Sequence, residues 1–131
     1  MVTQTQTPPD ILHRLNINTE VARKILTGFI RDEIAKSGLS RAVMGLSGGI
    51  DSALSAFLSA EALGPENVLA VRMPYETSSE SSLTHAEAVI EQLGLQTITI
   101  PITEMAAPLF ERFSDMSNVR RGNIMARLRM L

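Results

Sequence analysis

Apolar residues fall in two rhythms along this chain. Over residues 18–37, Val21, Ala22, Ile25, Leu26, Phe29, Ile30 and Ile34 recur at the spacing of one helix face. Asn18 is placed to cap that helix, Glu20 suits its first turn, and Gly38 predicts its end. Residues 42–46 are a short apolar run that enters a Gly-Gly turn, which predicts a buried parallel strand. Residues 51–63 have helix-forming composition and stop at Gly64-Pro65. Residues 68–73 predict a second strand, halted by Pro74, and a polar segment follows over residues 75–82. Thr84 and Glu87 have the spacing of a capping box and predict a helix that runs through Leu93 to Gly94. Residues 95–102 are rich in alternating β-branched side chains and predict a third strand.

Strands that alternate with helices predict an α/β fold of right-handed βαβ units, an open parallel sheet with helices on both faces. Residues 1–17 read as a loose N-terminal arm and residues 18–131 as one domain. No internal repeat or low-complexity tract interrupts it. Met125, Leu128, Met130 and Leu131 begin another helical stripe that reaches the last residue without a polar end. That pattern predicts a fragment or a truncated product.

Composition narrows the function classes. An apolar share of 44% and a charged share of 20% are those of a globular domain. A net charge of −2 gives no broad attraction for a nucleic-acid backbone. Arg120, Arg121, Arg127 and Arg129 do cluster, which suits one anionic ligand and no duplex. The chain has no cysteine, so a disulfide, a thiolate zinc site and a cysteine nucleophile are all excluded within it. The polar start ending in Pro8-Pro9 is unlike a signal peptide, and no apolar run approaches a membrane span. A soluble cytoplasmic protein is expected. His13 and His85 stand isolated and predict no dyad or metal site, and the methionines fall at core-like spacing.

The candidate chemistry lies at the turn after the first strand, Gly45-Leu46-Ser47-Gly48-Gly49-Ile50-Asp51-Ser52. A strand-to-helix turn aims several backbone N–H groups and a helix N-terminus at one point. Gly48 and Gly49 admit an anion close to the backbone, and Ser47 and Ser52 add hydroxyl donors. Asp51 repels phosphate directly and makes sense as a Mg²⁺ ligand bridging to phosphate oxygens. The bland alternative is a tight βα turn with a capping Asp or Ser and no ligand. The S-G-G-x-D-S pattern is more specific than that, and it is neither a Walker A loop nor a G-x-G-x-x-G turn.

Ser47-Gly48-Gly49-Ile50-Asp51-Ser52 resembles the signature of the PP-loop ATP pyrophosphatases. Val71-Arg72-Met73-Pro74-Tyr75 and the segment 121–130 (RGNIMARLRM) resemble, more narrowly, the ammonia-dependent NAD synthetase family. The resemblance runs over residues 18–131 and covers about the first half of that family's domain. It implies a Rossmann-like, adenine nucleotide alpha hydrolase-like sheet that is incomplete here. It implies ATP and Mg²⁺ as cofactors, with Gly45, Leu46, Ser47, Gly48, Gly49, Ile50, Asp51, Ser52 and Arg72 binding ATP and Asp51 the metal. Arg127 would contact deamido-NAD, with Asn123 and Arg129 shaping the same region. For Arg72 and Arg129 the plain alternatives are a helix cap and a solvated surface charge. The polar stretch over residues 76–82 resembles that family's mobile loop after the proline, whose serines either contact the nucleotide or are soluble loop residues, the second being the reading for any single one.

The implied reaction adenylates the nicotinate carboxylate of deamido-NAD, releases pyrophosphate, and lets ammonia displace AMP to give NAD. No general base is evident. With no cysteine for a glutaminase, free ammonia or a separate chain must supply nitrogen. A homodimer is expected by the same resemblance. The family's later glutamate, threonine and lysine ligands have no counterpart in this chain. Another PP-loop adenylating enzyme and a non-catalytic nucleotide-binding fragment are the competing readings.

Overall fold

A computed structural model describes residues 16–131. The N-terminal arm, His13 included, lies outside the described residues apart from Asn16 and Ile17. Five helices and three strands follow, with a short 3-10 turn at Pro65–Asn67. Helix α1 spans Thr19–Lys36, and its start is closed by the Asn18 side chain, which accepts from the Val21 N–H. Strand β1 is Ala42–Gly45, helix α2 is Ile50–Leu63, and strand β2 is Val68–Arg72. Helix α3 is Glu80–Leu93, strand β3 is Gln96–Thr99, and helices α4 and α5 are Thr103–Arg112 and Asn118–Leu128.

The strands form one parallel sheet in the order β1-β2-β3, with Ala42 beside Val68 and Leu69 beside Gln96. The Rossmann-like fold class is therefore present as a partial sheet. Alternation along each strand assigns Met44, Val68 and Ala70 to the face that carries the core. Ala56 and Ala60 from α2 and Ala86 from α3 meet them there, with Leu46 and Leu95 closing the ends. Small side chains let both helices approach the strands closely. Val68, 1% exposed, contributes about 2 kcal/mol by leaving water. Val43 and Ile98 lie on the opposite face and stay 69% and 45% exposed. Among the described residues β1 has a partner strand on one side only.

Helix α1 packs on α2, where Arg31 Nε donates to the Ala62 carbonyl at 3.1 Å and Arg23 pairs with Glu61 at 3.3 Å. Its apolar stripe is covered less than its spacing suggests, with Ile25 64% and Phe29 60% exposed. The buried position on α1 is instead Thr27, whose hydroxyl donates to the Arg23 carbonyl at 2.9 Å.

Several elements depart from the sequence reading: β3 covers only Gln96–Thr99 of the strand expected over residues 95–102, and α5 ends at Leu128, so Met130 and Leu131 of the expected stripe lie beyond it. Helix α3 begins at Glu80, with Ser79 as its N-cap accepting from the Ser82 N–H, so Thr84 and Glu87 form no capping box. The Thr84 hydroxyl donates back to the Glu80 carbonyl within the helix. Helix α4 has no counterpart in the periodicity and contains Pro108. Gly94 ends α3 as anticipated, in the left-handed conformation that glycine adopts without a Cβ penalty.

Candidate functional site

The carboxyl ends of β1 and β2 and the start of α3 enclose a cavity of about 360 Å³. Such crevices beyond the strand ends are where open α/β sheets hold ligands. Gly45, Leu46 and Ser47 line it from β1, and Val71 to Pro74 from β2. Ser78, Ser79 and Ser82 line it from the approach to α3, and Arg129 from the end of α5. Four serines and two arginines thus face the space, and no aspartate or glutamate is among its lining residues. A cavity of that chemistry favours an anion.

The turn after β1 is held by its own hydroxyls. Ser47 Oγ and Ser52 Oγ lie 3.0 Å apart, Ser52 Oγ donates to the Gly49 carbonyl at 2.9 Å, and the Ser47 N–H donates to Ser52 Oγ at 3.2 Å. The Gly49 N–H donates to Ser47 Oγ at 3.2 Å. These bonds set the loop's shape before any ligand arrives. Gly48 adopts φ +83°, and a Cβ there would overlap the Ser82 backbone. Only glycine lets the loop and the start of α3 meet this closely.

Side chains cap the N-termini of α1, α3 and α5, through Asn18, Ser79 and Ser117. Helix α2 has Gly49 at its N-cap and no side-chain cap. Its first-turn N–H groups therefore keep their positive potential available for an anion.

Gly45, Leu46, Ser47 and Arg72 share the cavity, while Gly48, Gly49, Ile50, Asp51 and Ser52 form the turn beside it and the first turn of α2. Asp51 is exposed there, and Ile50 is 81% exposed. Among the described residues no group of three or more metal-binding side chains surrounds Asp51 or any other point. Arg72 is three-quarters buried, with Nε donating to Thr99 Oγ1 at 3.2 Å and Nη1 lying 4.0 Å from Glu87. Arg127 is not at this cavity. It borders a separate apolar groove with Leu109, Ile124 and Leu128.

Arg129 is the residue that sequence reasoning left without a place at the cavity. Its Nε donates to the Met73 carbonyl at 3.1 Å and so holds the end of α5 at the exit of β2. A further tie comes from Arg121, whose guanidinium sits 4.4 Å over the Phe110 ring of α4. Tyr75 meets the same ring edge-on at 6.0 Å and donates to Glu76 at 3.0 Å. Partial burial, followed by that carboxylate's hydrogen bond and charge, raises the Tyr75 pKa above its ordinary value. Ser78, Ser79 and Ser82 line the cavity although each one alone favours the plain loop reading, since a serine-rich loop has the same composition whether or not it faces a ligand.

Comparison with known proteins adds a separate line of support. The family described as NAD synthase matches residues 21–131. An NH(3)-dependent NAD(+) synthetase of Trichlorobacter lovleyi is 56% identical over 119 residues, which are 91% of this chain and 44% of that protein. The chain thus spans less than half the length of that relative. Among solved structures, an NH3-dependent NAD synthetase of Campylobacter jejuni in complex with nitrate superposes with a TM-score of 0.81 at 33% identity, covering 88% of this chain and 50% of that one. An NMN synthetase of Francisella tularensis superposes with a TM-score of 0.78 at 28% identity, covering 88% and 48%.

Proposed function

Because the chain belongs to the NAD synthase family, we propose that it is the ATP-binding part of an ammonia-dependent NAD synthetase. The observation that carries this reading is the cavity itself, lined by two arginines and four serines and free of carboxylates, beside a self-bonded glycine turn. ATP lies with its phosphates toward Ser47 and the uncapped start of α2, where hydroxyls and first-turn N–H groups converge. Arg72, oriented by Thr99, faces the nucleotide from the end of β2. The pre-set loop adds positioning and charge stabilisation without reorganising at the moment of reaction.

The Asp51 carboxylate, exposed on the first turn of α2, would hold Mg²⁺ against the phosphate oxygens. One carboxylate fits that ion, which keeps several waters and takes its other ligands from substrate phosphates. Bound there, Mg²⁺ supplies charge neutralisation of the departing pyrophosphate. Arg127, at the edge of the apolar groove, serves the second substrate, deamido-NAD. Its nicotinate carboxylate attacks the α-phosphorus, pyrophosphate leaves, and ammonia then displaces AMP from the mixed anhydride to give NAD. Likeness to an NMN synthetase makes a mononucleotide the competing substrate. A homodimer and a cytoplasmic setting belong to the same reading. No helix among the described residues is long and apolar enough to cross a membrane.

The test is turnover with ATP, Mg²⁺, ammonia and either deamido-NAD or nicotinate mononucleotide, following AMP and the amide product. It is run on the chain and on a chimera completed with the downstream part of the Trichlorobacter lovleyi relative. Dinucleotide product from the chimera, abolished by Asp51→Ala, is the expected result. ATP binding without either product would leave a nucleotide-binding module and overturn the synthetase reading.

A further inference from the structure

Cavity, loop and arginine helix together single out one group. We infer that Arg129 is a nucleotide-binding residue of the cavity, its guanidinium contacting the anionic part of ATP. This rests on the proposal that the cavity takes ATP, and it assigns the second positive charge there.

Two arginines line the cavity, and they are held differently. Arg72 has Glu87 at 4.0 Å, so part of its charge is already answered. Arg129 has no carboxylate within ion-pair distance among the described residues. Among the described residues it is fastened through Nε alone, by the Met73 carbonyl at 3.1 Å. A neutral backbone acceptor fixes the plane of the fork and leaves the charge uncompensated. The terminal nitrogens remain available, the geometry in which a guanidinium binds phosphate oxygens through paired N–H donors. Arg127, two positions earlier and inside α5, borders the groove of Leu109 and Ile124 instead, whereas Arg129 is the C-cap just past the helix.

Arg129 could instead be only a strut that keeps α5 against β2. The two roles separate by ligand. A strut shapes the whole cavity and affects any occupant, whereas a charge contact matters only for a phosphorylated one. The experiment measures binding of ATP with Mg²⁺ and of adenosine to the chain by titration calorimetry, for the wild type, Arg129→Ala, Arg129→Lys and, as a surface control at the amino end of β1, Arg41→Ala. Arg129→Ala is expected to weaken ATP about tenfold and leave adenosine within about twofold, the scale of one lost charge-assisted pair. Arg129→Lys, which keeps the charge, should recover part of that loss, and Arg41→Ala should match the wild type. Equal weakening of ATP and adenosine would make Arg129 a strut and overturn the inference, as would unchanged ATP binding in both Arg129 variants. Failure of the wild type to bind ATP would overturn the underlying proposal as well. Loss of ATP binding in Asp51→Ala alongside an unaffected Arg129→Ala would sink only the inference.

Discussion

The turn after β1 and helix α5 both carry motif residues, and they are built in opposite ways. The turn is closed by bonds that span five residues or fewer, among Ser47, Gly49 and Ser52. Helix α5 is fixed from a distance, by Arg129 on Met73 across 56 positions and by Arg121 on Phe110 of α4. A locally closed element keeps its shape wherever it is placed. An element fixed from a distance acquires its role only on docking, because docking decides which side chain meets the ligand.

Three substitutions would break or sharpen that contrast. The largest effect is expected for Phe110→Ala, which empties a site 7% exposed under both Arg121 and Tyr75. It should cost about 4 kcal/mol in urea unfolding and release the amides of residues 118–128 to fast hydrogen exchange, leaving the turn protected. If α5 stayed protected, the Arg129 tie alone would suffice to hold it. Gly48→Ala comes next, at about 3 kcal/mol, since it combines a left-handed φ of 83° with overlap on the Ser82 backbone. Its damage should appear in exchange at the start of α3, and little change there would mean that the turn and α3 do not need each other. Ser52→Ala removes the hydroxyl shared by Ser47 and the Gly49 carbonyl, and should cost about 1 kcal/mol of stability. The accompanying loss in ATP affinity should exceed that of Ser55→Ala, whose hydroxyl bonds only the Asp51 carbonyl of its own helix.

The same contrast explains what could be read from the chain. The turn was legible because its glycines and hydroxyls act on near neighbours, so sequence spacing and spatial spacing nearly coincide. Strands β1 and β2 were legible for a related reason, short apolar runs bounded by Gly or Pro, whereas β3 showed only as β-branched alternation and its end was overrun. For α5 the segment was recognisable but the facing was not. Arg127 and Arg129 are chemically alike, and only the Met73 carbonyl distinguishes them. The start of α3 was misplaced because several serines and Thr84 all offer caps, and the one used, Ser79, is selected by where the Tyr75–Ser78 turn delivers the chain. Helix α4 was missed since Pro108 argues against a helix interior, a local penalty outweighed here by burial of Ala106 and Phe110. On α1 the stripe showed which residues share a face, and not how far a neighbour covers them.

The side of β1 that has no partner strand among the described residues has a practical consequence in solution. Its backbone offers a row of N–H and C=O groups to any extended segment, and Val43 stands beside that row 69% exposed. Such a row is a template for pairing between molecules. The apparent molar mass from light scattering should therefore rise with protein concentration, and Val43→Lys should suppress that rise. Binding constants for this chain are best compared at matched, low concentration, where strand pairing between molecules does not compete with the nucleotide.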